Sequence, residues 1–262
     1  MKERAVGGMV DYELRDGAAW ITLVDGDHGN TLTIDSGAEL MDAVRRARAD
    51  TARVIVLRAT GRFFSAGGDI GGFATLDDVT SGVDDLAESL HRIISELVRS
   101  DAVVVSAVHA MAAGAGFPLA AAADIVLAGS SARFTLGYTR IGFSVDGGSS
   151  QLVHTLGLHR ALRLALLNDV LTAEEAHAAG LVARVVADHE LDGATERVVA
   201  ALLAGPASAQ ADVKRLMREA VEAHPETALR RETLAIRRNA ASPDGREGVA
   251  AFLEKRPPQF NV

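Results

Sequence analysis

AVHAMAAGAGFPLAAAADIVLA, residues 107–128, is the stretch of sequence that decides the fold of this chain. It runs from an apolar strand through a turn with Gly114 and Gly116 into a segment with Pro118. Proline is favoured in the first turn of a helix, because the N–H that it lacks has no partner there. The free N–H groups of such a helix start can face a ligand. The stretch therefore predicts a strand, a turn and a helix that border a binding pocket.

The residues before this stretch alternate between predicted strands and helices. Alternating apolar residues over 10–24 predict a hairpin of two strands with its turn at Asp16-Gly17. The apolar runs 54–57 and 103–105 predict buried strands. Between these runs, one helix face carries Leu86, Leu90, Ile93, Ile94 and Leu97. Strand, helix and strand in succession favour right-handed crossovers and a mainly parallel sheet.

The second half of the chain has a different pattern. After about residue 151 the periodicity is almost exclusively helical, and Pro206, Pro225 and Pro243 lie near predicted helix starts. A chain of 262 residues, 48% of them apolar, is long enough for one large domain with a helical appendage. We predict an α/β core over residues 1–190 and a helical part over residues 191–262.

Composition excludes several classes of function. A net charge of −8, from 27 basic and 35 acidic side chains, argues against a nucleic-acid partner. The chain has no cysteine, which excludes disulfides and thiolate zinc sites, and its eight histidines lack metal-ligand spacing. Neither a signal-peptide core nor an apolar run of about 18 residues occurs. We predict a soluble, cytoplasmic protein without a metal site or a membrane partner.

A second glycine turn occurs earlier, in FFSAGGDI, residues 63–70. Gly67 and Gly68 permit backbone geometry that a β-carbon forbids, so that N–H groups can face a ligand. Two such donors, one from each turn, can form an oxyanion hole. Taken singly, each turn is also compatible with a plain connection. Neither turn is a phosphate loop, and the GxGxxG dinucleotide fingerprint is absent.

Together with three later segments, the two turns resemble the crotonase family, also called the enoyl-CoA hydratase/isomerase family. The later segments are ARFTLGYTRIGF at 132–143, LTAEEAHAAGLVARVV at 171–186 and EGVAAFLEKRPPQF at 247–260. The resemblance covers about residues 10–260. It implies the family's fold, an α/β spiral of βαβ units with a C-terminal helical part that mediates trimerisation. It also implies a homotrimer or a dimer of trimers.

The resemblance implies roles for residues of both turns. The backbone N–H groups of Gly68 and Ala115 correspond to the family's oxyanion hole, which holds the thioester carbonyl of an acyl-CoA. The residues implied to contact the substrate or its coenzyme A are Ala66, Gly67, Asp69, Ile70, Gly114 and Tyr138, and we interpret Asp69 chiefly as holding its turn. Coenzyme A enters as part of the substrate, so no separate cofactor is implied.

The chain departs from the family's hydratases at their two catalytic glutamates. Pro118 and Tyr138 stand at those positions, whereas Asp146 stands where isomerase branches carry an acidic residue. The motifs resemble most the enoyl-CoA isomerases and the ring-opening epoxyphenylacetyl-CoA isomerases. One carboxylate is enough to move a proton between two carbons of an enolate system, whereas adding water needs two. We therefore predict an acyl-CoA isomerase with Asp146 as its acid and base.

Other interpretations of the same residues stay open. A hydrolytic dehalogenase of this family would use Asp146 as a nucleophile, with His91 and Tyr138 beside it. Hydratase-like activity on another acyl-CoA, or a catalytically inactive acyl-CoA-binding protein, would also fit the family. Without the family context, Asp146 is compatible with an Asp-Gly turn or a helix cap, and His91 with a structural histidine.

Overall fold

The computed structural model describes residues 8–69, 79–141 and 143–222, together with residues 243, 247, 254, 256, 257 and 259. The chain begins with a hairpin of β1 (Val10–Arg15) and β2 (Ala18–Leu23), which pair antiparallel. Asp16 and Gly17 between them have φ of +50° and +88°. Positive φ at both central residues is typical of the tight turns that join twisted strands. The predicted hairpin is confirmed.

A six-stranded sheet forms the centre of the molecule. Its strands lie in the order β1-β2-β3-β5-β7-β10, and every pair from β2 onward is parallel. The added strands are β3 (Val54–Ala59), β5 (Val103–Val108), β7 (Ile125–Gly129) and β10 (Arg184–Val186). All six residues of β2 and of β5 are buried, which explains the apolar run at 103–105 at the start of β5. The predicted parallel sheet is confirmed.

A smaller sheet carries the turns of interest. Its strands are β4 (Phe63–Ser65), β6 (Met111–Ala113), β8 (Arg133–Thr135) and β9 (Leu171–Thr172), in that order. β4, β6 and β8 directly follow β3, β5 and β7, and they pair parallel with one another. The chain thus visits the large sheet and then the small sheet three times. This repeated path is the predicted spiral of βαβ units.

Helices cover both faces of the large sheet. They are α1 (Ile34–Ala49), α2 (Val79–Arg99), α3 (Gly116–Ala121), α4 (Leu152–Leu156), α5 (Leu158–Leu167), α6 (Ala173–Ala178), α7 (Leu191–Ala204) and α8 (Ala207–Glu222). The five apolar residues predicted to form one face of α2 are all buried, and four of them, Leu86, Leu90, Ile93 and Leu97, belong to the main core. On the opposite face of the sheet, Leu191 and Val199 of α7 pack with Trp20 and Val56.

The sequence pattern missed two short strands in the later half of the chain. β9 and β10 interrupt the stretch that we predicted as almost exclusively helical. With two and three residues they are too short to produce a visible alternation, and pairing with β8 and β7 forms them. The division of the chain at residue 190 stays a prediction. Among the helices that the structure describes, none combines the length and the apolar character needed to cross a membrane.

A buried lysine attaches α8 to the core. Lys214 is 7% exposed, and its Nζ donates to the carbonyl oxygens of Leu97 and Ala102, both at 2.8 Å. The same Nζ lies 3.0 Å from Oδ2 of Asp124, which forms the ion pair. Burial lowers the pKa of Lys214, and the charge of Asp124 opposes that shift. Asp124 therefore provides the ion-pair partner of this buried cation.

Arg218 makes a second connection from α8 to the same aspartate. Its Nη2 lies 2.8 Å from Oδ1 of Asp124 and donates to the carbonyl oxygens of Ala122 and Ala123 at 2.8 and 3.2 Å. These carbonyls follow the C-terminal end of α3, where a positive charge is favourable. Arg218 thus attaches α8 to the C-terminal end of α3. The N-terminal end of α3 follows the second glycine turn.

Candidate active site

The two predicted glycine turns pack against each other. They follow β4 and β6, which are neighbouring parallel strands, so that both turns leave the same edge of the small sheet. Gly67 has φ of +92° and Gly114 has φ of +52°. A β-carbon at residue 67 would lie 2.8 Å from the carbonyl oxygen of Ala113 and 3.3 Å from the nitrogen of Ala115. This close approach requires glycine.

Each turn presents a backbone N–H group that has no acceptor among the residues the structure describes. Leu32 pairs with Gly68 in a single parallel bridge, in which Leu32 N–H donates to Gly67 at 2.8 Å and Asp69 N–H donates to Leu32 at 3.2 Å. In this arrangement the N–H of Gly68 points away from Leu32. Ala115 stands at the N-cap of α3, where N–H groups have no partner within the helix. Within the described ranges, neither Gly68 N–H nor Ala115 N–H has a hydrogen-bond acceptor.

The contact between the turns predicts an asymmetry between two glycine substitutions. We expect Gly180→Ala to lower the free energy of unfolding by about 1 kcal/mol, because φ there is +83° and the added methyl group meets nothing within 4 Å. Gly67→Ala should lower it by about 1 kcal/mol more, since the methyl group also collides with backbone. Urea unfolding of both variants measures the difference. Equal losses of unfolding free energy in the two variants would mean that the two turns can move apart to admit the methyl group at no energetic cost.

A third turn brings Asp146 to the same place. Gly147 has φ of +62°, and a β-carbon there would lie 3.1 Å from the β-carbon of Ala115 and 3.5 Å from the hydroxyl of Tyr138. The backbone carbonyl of Asp146 accepts hydrogen bonds from the Tyr138 hydroxyl at 3.1 Å and from the Ser149 hydroxyl at 2.6 Å. The Asp146 turn is therefore held beside the Ala115 N–H.

Tyr138 acts in this turn as a hydrogen-bond donor. Burial, followed by the negative charge of Asp146, raises the pKa of Tyr138 well above its usual range. The phenol is therefore protonated at neutral pH and donates to the Asp146 carbonyl. A contact of Tyr138 with the substrate stays a prediction.

The carboxylate of Asp146 pairs with a histidine from α2. His91 Nε2 lies 2.9 Å from Asp146 Oδ1, and the two side chains are 47% and 36% exposed. A short 3₁₀ turn at Ser149–Gln151 follows, and no side chain caps its start at Gly148. The Asp146 carbonyl accepts the N–H of Ser149 at 3.1 Å, which closes the Asp-Gly turn that the sequence suggested, and the helix-cap interpretation of the carboxylate stays a prediction. Periodicity placed His91 on α2 next to Leu90 and gave no partner for it, whereas the resemblance to the family's dehalogenases implied a place beside Asp146, 55 positions later.

A groove opens beside the pair. It has a volume of about 1130 Å³ and runs between α2, α3, α4 and α8, with His91, Asp146, Ile94 and Pro118 among its lining residues. Gly148 permits the close packing of this wall, because a β-carbon there would lie 3.0 Å from Ile94 Cδ1. Its lining includes Asp146 and Pro118 but no described residue of the two glycine turns, so the groove lies on the far side of Asp146 from them.

The structure thus brings together most of the residues predicted for the site. Ala66, Gly67, Gly68 and Asp69 form the first turn, Gly114 and Ala115 the second, and Tyr138 and Asp146 adjoin the second. Ile70 lies outside the described residues. In the described part of the chain, no three histidine, aspartate or glutamate residues lie together in a way that could hold a metal ion.

Comparison with known proteins identifies the family. The sequence model for enoyl-CoA hydratase/isomerase matches residues 13–262. The chain belongs to the enoyl-CoA hydratase/isomerase family. The predicted resemblance to crotonases is therefore confirmed, and the chain is an enzyme of this family. An acyl-CoA substrate is consistent with membership of the family.

Individual family members match over nearly the whole chain. The "Probable enoyl-CoA hydratase" of Rhodobacter capsulatus is 37% identical over 255 residues, which cover 96% of this chain and 97% of the relative. The "1,2-epoxyphenylacetyl-CoA isomerase" of Escherichia coli is 35% identical over 250 residues, with coverage of 93% and 95%. An enoyl-CoA hydratase structure from Polaromonas sp. JS666 superposes with a TM-score of 0.92 at 31% identity and covers 97% of this chain and 100% of its own. Family members similar to this chain thus include a hydratase and an isomerase by name.

Proposed function

We propose that this enzyme is an acyl-CoA isomerase that shifts a double bond from the Δ3 to the Δ2 position, or rearranges a related ring-opened or epoxide acyl-CoA. One observation carries the proposal. The carboxylate-bearing Asp146 belongs to a turn that packs on Ala115, beside two backbone donors without an acceptor in the described part of the chain. This arrangement supports enolate formation next to one proton-transferring group.

The reaction follows from these groups. The N–H groups of Gly68 and Ala115 would bind the thioester oxygen and stabilise the negative charge that it gains when the α-carbon loses a proton. Asp146 would take that proton from C2, and the electrons of the broken C–H bond would form a dienolate with the C3=C4 double bond. Return of the same proton to C4 leaves a double bond between C2 and C3. One carboxylate thus completes the cycle, and no atom is gained or lost.

The residues at the two hydratase positions support isomerisation over hydration. Pro118 has no ionisable group, and Tyr138 is a protonated phenol that donates to the backbone of Asp146. Neither position therefore offers the second acid or base that the family's hydratases use to activate water and protonate carbon.

A direct test uses a 3-enoyl-CoA substrate in deuterated water, followed by mass spectrometry and NMR. We expect 2-enoyl-CoA as the product, with deuterium at C2 or C4 wherever the proton on Asp146 exchanges with solvent before its return. Accumulation of a 3-hydroxyacyl-CoA from 3-enoyl-CoA or 2-enoyl-CoA would instead indicate hydratase activity. Tight acyl-CoA binding without turnover or deuterium exchange would favour an inactive binding protein.

The contact between His91 and Asp146 favours a second candidate, a hydrolytic dehalogenase. In that reaction an Asp146 oxygen would attack the halogen-bearing carbon of an aromatic acyl-CoA, and halide would leave. Water deprotonated by His91 would then cleave the aryl ester, which releases the hydroxylated product and restores Asp146. The Nε2–Oδ1 distance of 2.9 Å puts the two groups in reach of one reaction centre. Chloride release from 4-chlorobenzoyl-CoA distinguishes this activity from isomerisation.

We further propose that the enzyme needs no separate cofactor, because coenzyme A enters with the substrate, and that it assembles as a homotrimer or a dimer of trimers. Exposed apolar side chains on α5 and α8 support assembly: Leu158, Leu162, Leu166, Leu167, Val213, Met217 and Val221. Analytical ultracentrifugation should give the mass of three or six chains, and a monomer at micromolar concentration would contradict this proposal. A cytoplasmic location stays a prediction.

A further inference from the structure

A buried serine lies behind the two glycine turns. Ser65 is the last residue of β4 and is 0% exposed. Its hydroxyl donates to the carbonyl oxygen of Asn30 at 2.9 Å and accepts the N–H of Gly67 at 3.1 Å. Both the donor and the acceptor function of the hydroxyl are therefore used, and one of the two bonds ends on the turn that presents Gly68.

Asn30 is itself fixed in place. Its Nδ2 donates to the carbonyl oxygens of Thr60 and Phe63, both at 2.8 Å, and so ties the end of β3 to the start of β4. Asn30 is 3% exposed and has φ of +51°, a conformation that persists only where its surroundings hold it. The carbonyl to which Ser65 donates is thus a rigid attachment point.

Ser65 also touches the second turn. A β-carbon at Gly116 would lie 2.6 Å from the β-carbon of Ser65 and 2.8 Å from its hydroxyl oxygen. Gly116 follows Ala115, whose N–H is the second donor. The Ser65 side chain therefore hydrogen-bonds to Gly67, the neighbour of Gly68, and packs against Gly116, the neighbour of Ala115.

We infer that Ser65, held by Asn30, is a positioning residue that sets the direction and separation of the Gly68 and Ala115 N–H groups. The inference rests on the oxyanion hole of the proposed function. Such donors stabilise an oxyanion only when they are fixed about 2.7–3.1 Å from the place that it will occupy. Without the hydroxyl, Gly67 N–H loses its acceptor. The peptide that carries the Gly68 N–H can then rotate, so that this N–H no longer points at the oxyanion position. Ser65 lies behind the turns and acts through them.

The test compares Ser65→Ala with wild-type protein. Alanine keeps the β-carbon that packs on Gly116 and removes only the hydroxyl. We expect kcat for double-bond migration to fall about 10- to 100-fold, the range for a misplaced catalytic group. KM should stay within about threefold, because the donors matter most for charge that develops in the transition state. Ser106→Ala is the matched control, since Ser106 is also 0% exposed and its hydroxyl has no hydrogen-bond partner in the described part of the chain.

A spectroscopic readout separates positioning from stability. Bound 4-dimethylaminocinnamoyl-CoA absorbs at longer wavelength when its thioester carbonyl is polarised by hydrogen bonds. We expect a red shift with wild type and with Ser106→Ala, and a smaller shift with Ser65→Ala at saturating protein. If Ser65→Ala does not fold, Ser65→Cys serves instead, because a thiol is a weak donor and acceptor and should give an intermediate shift.

Several outcomes decide the inference. A variant at residue 65 with the wild-type shift and wild-type kcat would overturn it. Wild-type protein that binds the probe without any red shift would overturn the oxyanion hole and the role of Ser65 together. A red shift in wild type that decreases in Ser65→Ala, in a protein that moves no double bond, would support Ser65 and refute the proposed isomerisation alone.

Discussion

Replacement of Asp146 by asparagine should lower the rate of double-bond migration by about 10²- to 10⁴-fold, the usual contribution of a positioned acid or base. The amide keeps the shape of the carboxylate and can still hydrogen-bond to His91, but it cannot accept a proton from carbon. The Gly68 and Ala115 donors stay in place, so acyl-CoA binding should change little. Turnover of 3-enoyl-CoA and a separate binding titration measure the two effects.

Asp169→Asn is the matched control for this substitution. Asp169 also pairs with a cation, Arg163 at 3.1 Å, and its side chain is 42% exposed, similar to that of Asp146. The control should keep wild-type activity, because Asp169 lies outside the turns that form the site. An Asp146→Asn enzyme that still isomerises at the wild-type rate would rule out Asp146 as the base, and the proposed mechanism would be lost with it.

Asp124→Ala should lower the free energy of unfolding by about 3–5 kcal/mol, the range for breaking a buried ion pair by removing one partner. Asp124 compensates Lys214, whose side chain is 4% exposed, and Arg218, and it also accepts the N–H of Val104 at 2.8 Å. Without Asp124 the buried ammonium group of Lys214 keeps its two carbonyl acceptors but loses its ion-pair partner. Urea unfolding monitored by circular dichroism measures the loss.

Two further variants make this result specific. Glu88→Ala breaks an ion pair with Arg92 on the surface of α2, where the side chains are 58% and 69% exposed, and should change stability by at most about 0.5 kcal/mol. Combining Asp124→Ala with Lys214→Met should recover part of the loss, because the uncompensated charge is then removed. Equal, small effects of Asp124→Ala and Glu88→Ala would show that the buried pair adds nothing to stability.

Much of the fold could be predicted from local sequence pattern. The Asp16-Gly17 turn was visible because both of its residues tolerate positive φ, and the apolar stripe of α2 because burial on one face repeats at the helical period. β9 and β10 were missed, since pairing with distant strands rather than their own few residues makes them strands.

The site could be predicted only in part. Motif resemblance drew attention to Gly68, Ala115 and Asp146, and the structure places their three turns in contact. Sequence could not show that His91 Nε2 lies 2.9 Å from Asp146, or that Ser65 bonds to Asn30 and Gly67, because these pairs depend on how α2 and β4 pack in three dimensions.

By itself, the sequence determined the family, the alternation of strands and helices, and the identity of the residues at the turns. These properties depend on side-chain chemistry and on periodicity along the chain, both of which can be read locally. Only the tertiary structure decided how closely the turns of Gly68, Ala115 and Asp146 pack, the 2.9 Å distance between His91 Nε2 and Asp146, and which buried hydroxyl lies behind the turns. Such contacts join residues far apart in sequence, and their distances follow from the packing of the whole core, which no local pattern encodes.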